Sequence, residues 1–176
     1  MATLKILTFP DERLRRVAQP VKKITSETQV MIDNMIETMY YEKGIGLAAT
    51  QVAFHQRIVV IDVSSDYSEP MILINPEIVD AQGEKGTEEG CLSIPGIKVL
   101  VQRATELKLK ALNRYGEELH FDTSGLLSIC IQHELDHLEG RLLVDYLSPL
   151  KRKRIENKFI KIRRFSGKKY LGEEPF

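Results

Sequence analysis

The spacing of hydrophobic side chains predicts three helices, with a series of short strands between the first two. The first helix follows a capping-box pattern at Ser26 and Gln29 and runs to about Lys43, with Gly44 as its C-terminal stop. The segments after it are short runs of residues that favour strands, and polar turn residues separate them. These segments are 57–63, 71–75, 97–103, 106–113 and 118–121. Their short connections favour antiparallel pairing.

A second helix is predicted from Ser124, as its cap, to Gly140. Its hydrophobic residues cover most of its circumference, so we expect it to be central and buried. A third helix begins at Ser148 and Pro149. Its inner stripe consists of Ile155, Phe159 and Ile162. The expected fold class is α+β, with antiparallel sheets packed around the central buried helix and a basic helix at the C-terminus.

Composition favours one soluble domain, because 176 residues that are 43% hydrophobic can bury a core. Residues 1–150 would form its main body, and residues 151–176 a basic helix and a frayed tail (172–176) of the same domain. No apolar run approaches the roughly 20 residues that span a bilayer. The N-terminus lacks a signal-peptide pattern, so we expect a cytoplasmic protein with unpaired cysteines.

The formal net charge of zero hides an uneven distribution. Residues 1–150 contain 15 Lys and Arg against 22 Asp and Glu, a balance of −7. Residues 151–169 contain 10 Lys and Arg with Glu156 as the one acid, a balance of +9. A basic segment on an acidic body indicates an anionic partner, of which RNA is the commonest. A solvated helix face is the alternative interpretation.

The second predicted helix carries a His-Glu-x-x-His sequence at His133, Glu134 and His137. Residues four apart share a helix face, so both imidazoles can reach one metal ion, with Glu134 beside it. Cys91, in a polar turn that contains glycine, supplies a third ligand as a thiolate. Three protein ligands with an open fourth position are typical of a catalytic metal site. The central helix is therefore predicted to bind metal; a closed four-ligand site or two hydrogen-bonded core histidines are the alternatives.

Three neighbouring residues have more than one interpretation. Cys91 could instead be a nucleophile with a histidine partner, although Glu134 would then have no clear purpose. Cys130 lies three residues before His133 and faces a similar side of the helix, but a small buried side chain that lines the core or a pocket is the stronger interpretation. Asp136 either orients a metal ligand or belongs to a salt bridge at the helix end.

A glycine-containing loop precedes the strands. Gly44 and Gly46 permit close approach or unusual dihedral angles, and Gln51 brings an amide that can donate to an oxyanion. Together with the other two motifs, this loop resembles the peptide deformylase family, over roughly residues 1–150. The segments that carry the resemblance are 44–51 (GIGLAATQ), 89–93 (EGCLS) and 132–140 (QHELDHLEG).

The resemblance implies a metal-dependent hydrolase that removes the formyl group from N-formyl-methionyl nascent peptides and releases formate. The implied metal ligands are Cys91, His133 and His137. The metal would lower the pKa of its water and polarise the formyl oxygen. Glu134 would act as general base and then as general acid. The oxyanion would be stabilised by the metal, by the side chain of Gln51 and by the backbone N–H of Leu92.

The resemblance also implies how the peptide binds. Its backbone would lie as an added strand between the loop of Gly44 and Gly46 and the segment before Cys91. The methionine side chain would enter an apolar pocket. The candidates for that pocket are Ile45, Leu126, Ile129 and Cys130.

Kinship implies Fe²⁺ as the metal in the cell, with Zn²⁺, Ni²⁺ or Co²⁺ able to substitute. Ligand spacing alone would favour zinc. The basic helix at 151–169 is similar to the one by which bacterial members dock on the ribosome. A monomer is the expected oligomeric state.

Two rival functions follow from the same residues. A zinc endopeptidase of the His-Glu-x-x-His type usually takes its third ligand from a downstream Glu or His, and no such residue is well placed after Gly140. A non-catalytic, metal-stabilised RNA-binding module would contact RNA through residues 151–169. It would bind a fully ligated metal and show no hydrolysis.

Overall fold

The structure is a computed structural model that describes residues 2–170, with side chains described as far as residue 164. The predicted tail at 172–176 lies outside the described residues. Three α-helices are present: α1 (Ser26–Tyr41), α2 (Gly125–Leu138) and α3 (Pro149–Tyr170). The seven strands are β1 (Gly46–Ala48), β2 (Ile58–Ile61), β3 (Met71–Gln82), β4 (Lys85–Gly90), β5 (Lys98–Arg103), β6 (Glu106–Leu112) and β7 (Glu118–Ser124). None of the described helices is long and apolar enough to cross a membrane.

The strands form two antiparallel sheets. A five-stranded sheet has the order β1-β2-β3-β6-β7, and β4 pairs with β5 in a separate two-stranded sheet. The predicted α+β class with antiparallel pairing is confirmed. Among the described strands, β1 has a neighbour on one side only, as does β4.

Helix α2 is central, as its apolar circumference predicted. It packs against β1, β2, β6 and β7, and its residues Ile131 and Leu138 are fully buried. Leu73 and Val59 belong to the same hydrophobic cluster, at 0% exposure. Burial of such aliphatic side chains stabilises the fold by roughly 1.5–3 kcal/mol each. The helix that carries His-Glu-x-x-His is therefore held firmly in the core.

Two short 3₁₀ turns lie near the ends of the main elements. Residues Ala49–Val52 form a 3₁₀ turn that follows β1, and Thr50 donates its hydroxyl to the carbonyl of His137 at 3.1 Å. Residues Leu143–Tyr146 form another 3₁₀ turn just before α3. Helix α3 packs through Phe159, whose ring makes an edge contact with Phe9 at 6.2 Å between centroids.

Several expectations about helix ends were wrong. The cap of α1 is Thr25, paired with Thr28, and not the Ser26 and Gln29 pair. The left-handed position after α1 is taken by Lys43 (φ 55°), not Gly44. Ser124 is the residue before α2, but its side chain accepts no capping hydrogen bond.

Two strand predictions and one helix position were also wrong. Strand β3 extends to Gln82, well beyond the predicted end at residue 75, and β4 lies between the predicted strands 71–75 and 97–103, where the sequence predicts only a polar turn. Both stretches are mostly exposed, and β4 is also polar, so neither shows the alternation that marks a half-buried strand. In α3, Ile162 is 50% exposed and so does not belong to the inner stripe with Ile155 and Phe159.

Candidate functional site

Three candidate ligands converge where β4 ends beside α2. Cys91 follows β4 directly, and His133 and His137 stand on one face of α2. The ligand atoms of these three residues all lie within 4.8 Å of one another, and Cys91 Sγ is 3.2 Å from His137 Nε2. The two imidazole rings are 5.1 Å apart in an edge arrangement. No other residue of the described chain joins this group.

The two histidines have different electrostatic surroundings. Burial lowers the pKa of His137 well below its usual range, with the charge on His133 acting in the same direction, so His137 is neutral and has a lone pair to offer. Burial also acts to lower the pKa of His133, but contacts with Cys91 and Glu89 outweigh it and raise that pKa. The Nδ1 of His133 lies 2.9 Å from Oε2 of Glu89.

Glu89 is the clearest functional candidate that sequence reasoning missed. Burial acts to raise the pKa of Glu89, but His133 and Arg103 lower it to about 2. The carboxylate is therefore ionised and only accepts hydrogen bonds, so His133 donates from Nδ1, and a cation bound at the cluster would take the place of the proton on Nε2. Arg103 was the clue in the sequence that could have led to Glu89. It occupies a buried position in the alternating pattern of β5, and a buried charge without a partner of opposite charge is costly.

Glu134 lies beside the ligand cluster and is 4% exposed. Its Oε2 is buried and has no hydrogen-bond partner among the described residues. Burial raises the pKa of Glu134 to about 7, because the charged form loses its hydration; the charge on Glu89 adds to this rise, while His133 and Arg103 oppose it. A cation bound nearby would lower this pKa from that value. The group can therefore both accept and release a proton near neutral pH.

Gln51 points its amide at the same centre. Its Oε1 accepts from the backbone N–H of Ala48 at 2.9 Å, and its Nε2 donates to Ser93 Oγ at 3.1 Å. The Nε2 also lies 3.7 Å from Sγ of Cys91. These contacts orient the amide with its donor side toward the cluster. Ser93, a fully buried side chain, was not singled out from the sequence.

The predicted binding residues line one groove of about 730 Å³ that opens above the cluster. Its walls include all six predicted substrate residues: Gly44, Ile45, Gly46, Leu126, Ile129 and Cys130. Gln51, Cys91, Leu92, His133 and Glu134 also line it, whereas His137 lies behind the wall. The rim carries charged residues that the sequence did not indicate, namely Glu42, Lys43 and Glu88.

The two glycines of the loop are required for close approach, not for unusual dihedral angles. A β-carbon on Gly44 would lie 2.8 Å from Cδ1 of Leu92, and one on Gly46 would lie 2.8 Å from Sγ of Cys130. Burial raises the pKa of the Cys130 thiol, so it is a neutral side chain of the groove wall. This agrees with its interpretation as a small buried residue.

Asp136, whose role the sequence left open, lies on the far side of His133. It forms an ion pair with Arg103 at 2.7 Å and accepts from the hydroxyl of Tyr146 at 2.6 Å. Arg141 is a weaker partner at 3.5 Å. Asp136 therefore belongs to a salt bridge. Its partner Arg103 also binds Glu89, which contacts the candidate metal ligand His133.

The chain is similar in sequence and structure to one family of enzymes. The family model of polypeptide deformylases matches residues 3–153. A peptide deformylase from Tolumonas auensis is 56% identical over 164 residues, which covers 93% of this chain and 98% of the relative. One from Hamiltonella defensa is also 56% identical, over 169 residues, with 96% and 99% covered.

Solved structures agree with these relatives. The crystal structure of a peptide deformylase from Legionella pneumophila has a TM-score of 0.87 at 44% identity, covering 98% of this chain and 99% of that one. A peptide deformylase from Ehrlichia chaffeensis in complex with actinonin has a TM-score of 0.89 at 37% identity, covering 93% and 99%.

Proposed function

The chain belongs to the peptide deformylase family, and we propose that the cluster of Cys91, His133 and His137 holds the metal on which this chemistry depends. The enzyme is a metal-dependent hydrolase that removes the N-formyl group from the N-terminal methionine of new peptides and releases formate. The observation that carries the assignment of the site is the convergence of three ligand atoms within 4.8 Å, two of them from residues that line the groove.

The donor set fits a divalent cation. A thiolate and two imidazoles are ligands that transition metals prefer, and no fourth Cys, His, Asp or Glu of the described chain joins them. A cation bound there would supply Lewis acidity to the formyl carbonyl and would lower the pKa of a water molecule. We propose Fe²⁺ in the cell, with Zn²⁺, Ni²⁺ or Co²⁺ able to replace it.

Glu134 is proposed as the group that moves the proton. Its free Oε2 accepts the proton of the attacking water and then returns it to the amine that leaves. Burial raises the pKa of Glu134 and a bound cation would lower it again, so the two effects oppose each other at the group that moves the proton. Because the carboxylate is almost fully buried, bulk water does not compete for the proton.

Gln51 and Leu92 are proposed to stabilise the oxyanion of the tetrahedral intermediate. Ala48 and Ser93 fix the orientation of the Gln51 amide, so its N–H needs no reorganisation during the reaction. The backbone N–H of Leu92, next to Cys91, donates to no other backbone group within the described residues. It is therefore available to a ligand.

The substrate backbone is proposed to bind as a strand between the two sheets. Strand β1 ends one sheet, and β4 has β5 on one side only, so each offers an unpaired edge in the described structure. The methionine side chain would enter the apolar part of the groove. That part is formed by Ile45, Leu126, Ile129 and Cys130.

The activity is proposed to reside in residues 1–150, with the segment 151–176 completing the same domain. Among the side chains of α3 described as far as residue 164, seven basic ones face solvent: Lys151, Lys153, Arg154, Lys158, Lys161, Arg163 and Arg164. An RNA surface attracts such a helix through its phosphates, so we propose that α3 docks on the ribosome. A monomer in the cytoplasm is the proposed state.

Replacement of Glu134 by Ala tests the assignment. The variant should retain metal, because Glu134 is not among the ligands, and should lose formate release from a formyl-Met peptide by several orders of magnitude. The metal content of anaerobically purified protein measures the first result, and a formate assay measures the second. The same metal analysis on the wild-type protein tests the choice of iron. Comparable rates for variant and wild type would remove Glu134 from the mechanism.

A further inference from the structure

A buried chain of ionic contacts begins at His133 and leads away from the groove. Arg103 is 5% exposed and binds both oxygens of Glu89, from Nε at 2.8 Å and from Nη2 at 3.0 Å. Glu89 in turn accepts from His133 Nδ1 at 2.9 Å. The orientation of the imidazole is therefore set by a carboxylate that is itself set by a guanidinium.

The third nitrogen of Arg103 points to a second pair of residues. Its Nη1 donates to Asp136 at 2.7 Å and to the hydroxyl of Tyr146 at 3.2 Å. Tyr146 also donates to Asp136 at 2.6 Å, and the guanidinium lies over its ring at 5.2 Å from the centroid. Asp136 and Tyr146 thus contact each other and the same guanidinium.

This arrangement meets the physical needs of a buried cation. A guanidinium has five N–H donors in a rigid plane, and an unpaired one inside a protein is costly. Glu89 satisfies one edge of the plane, and Asp136 with Tyr146 satisfies another. If that outer pair were lost, Arg103 would be free to turn toward other acceptors, and its two contacts with Glu89 would loosen.

We propose that Asp136 and Tyr146 are positioning residues for the metal ligand His133, acting through Arg103 and Glu89. The proposal rests on the proposed metal site. Partners behind a ligating histidine fix its tautomer and ring orientation, and their loss typically costs about 10–100-fold in metal affinity or activity. Neither residue lines the groove, so substrate binding should not depend on them directly.

The experiment compares Asp136→Asn and Tyr146→Phe in the full chain. Asp136→Asn keeps the shape but removes the charge, while Tyr146→Phe keeps the ring over Arg103 and removes only the hydroxyl. The matched controls are Asp122→Asn and Tyr115→Phe, at exposed positions of β7 and the β6–β7 turn. Apparent Co²⁺ affinity by chelator competition, the visible absorption of bound Co²⁺, kcat, KM and the urea midpoint are measured for each protein.

We expect Asp136→Asn to weaken Co²⁺ binding by about 10-fold or more and to alter the Co²⁺ absorption, with KM for a formyl-Met peptide unchanged. Tyr146→Phe should change the Co²⁺ affinity and the Co²⁺ absorption in the same direction, but by a smaller amount. Glu89→Gln should give the largest loss. Adding Asp136→Asn to it should cost little more, because both changes act on one chain of contacts.

Two outcomes would overturn the proposal. If Asp136→Asn and Tyr146→Phe lower only the urea midpoint, the network braces the fold and does not position His133. Additive losses in the double variant would likewise separate Asp136 from Glu89. Failure of the metal site itself is distinguishable, because Cys91→Ser and His133→Ala would then bind Co²⁺ as tightly as wild type.

Discussion

A β-carbon on Gly46 would lie 2.5 Å from Oε1 of Glu134, so the backbone of β1 and the proposed proton-transfer group of α2 are in direct contact. No side chain fits between them. We therefore expect Gly46→Ala to displace the Glu134 carboxylate and to lower kcat/KM by about 100-fold, the size of effect that a misplacement of about 1 Å can cause. Formate release from a formyl-Met peptide measures this.

Gly86→Ala is the matched control for that change. Gly86 is an exposed glycine of β4, and its new β-carbon would meet only the ends of two flexible side chains, the amide of Gln102 at 3.3 Å and Cδ1 of Leu100 at 3.5 Å. Its activity should equal that of wild type. If Gly46→Ala retained full activity with its metal bound, the close contact would have no catalytic importance.

Gln51→Glu tests the proposed oxyanion donor. The substitution keeps an oxygen for the Ala48 N–H but removes the NH₂ group that faces Cys91. Loss of one such donor typically lowers kcat by about 10²–10³-fold. KM should change little, because the donor acts on the transition state. Steady-state kinetics measure both constants, and Gln102→Glu on exposed β5 is the control. A rise in KM with an unchanged kcat would contradict the assignment.

The fold class could be predicted because hydrophobic periodicity marks the strands that bury one face. In β5 and β6 the exposed and buried residues alternate throughout, as the sequence pattern indicated. Strand β4 and the end of β3 could not be found this way. Strand β4 is polar and the end of β3 is mostly exposed. Both are strands because β5 and β6 offer backbone partners, which a local pattern does not show.

The same distinction applies to the site. Cys91, His133 and His137 were recognisable because each lies in a short contiguous motif of ordinary metal-site chemistry. Glu89 lies in the same motif as Cys91, but its role and that of Arg103 were not recognisable, since they depend on β4 and β5 pairing in one register that brings both to the inner face. Contacts between distant segments are a property of the fold.

Asp62 should link the stability of the fold to pH. This carboxylate is 1% exposed and accepts from Tyr40 at 2.6 Å and from the Ser64 N–H at 2.8 Å. Burial acts to raise its pKa, but the hydrogen bonds from Ser64 and Tyr40 outweigh burial, and the pKa lies below its usual range. A lowered pKa stabilises the folded state above the unfolded-chain value near 3.9. The contribution is lost as the pH falls through the folded-state pKa.

We therefore expect Asp62→Asn to lower the free energy of unfolding by about 1–3 kcal/mol at pH 7. The gap to wild type should narrow as the pH falls below about 4. Urea unfolding at several pH values measures it, with Asp122→Asn as the exposed control. An unfolding free-energy gap that stayed constant down to low pH would show that Asp62 acts through packing and not through its charge.

Charge reversal on α3 separates docking from catalysis. Lys158 and Lys161 are exposed on either side of buried Phe159, so changing both to Glu should leave the helix packed on the body. Because attraction to RNA phosphates depends on these charges, we expect co-sedimentation with ribosomes to weaken, most clearly at low salt. Formate release from a short formyl-Met peptide should stay at the wild-type rate.

The matched control reverses Lys108 and Lys110, two exposed charges of β6 that give the same change in net charge at a different surface. If both double variants lose ribosome binding equally, net charge alone drives the association and α3 is not the docking surface. Equal binding of wild type and the Lys158 and Lys161 variant would exclude these charges from docking. Removing residues 151–169 should weaken binding further than the double reversal, because it takes away all ten Lys and Arg residues of that segment.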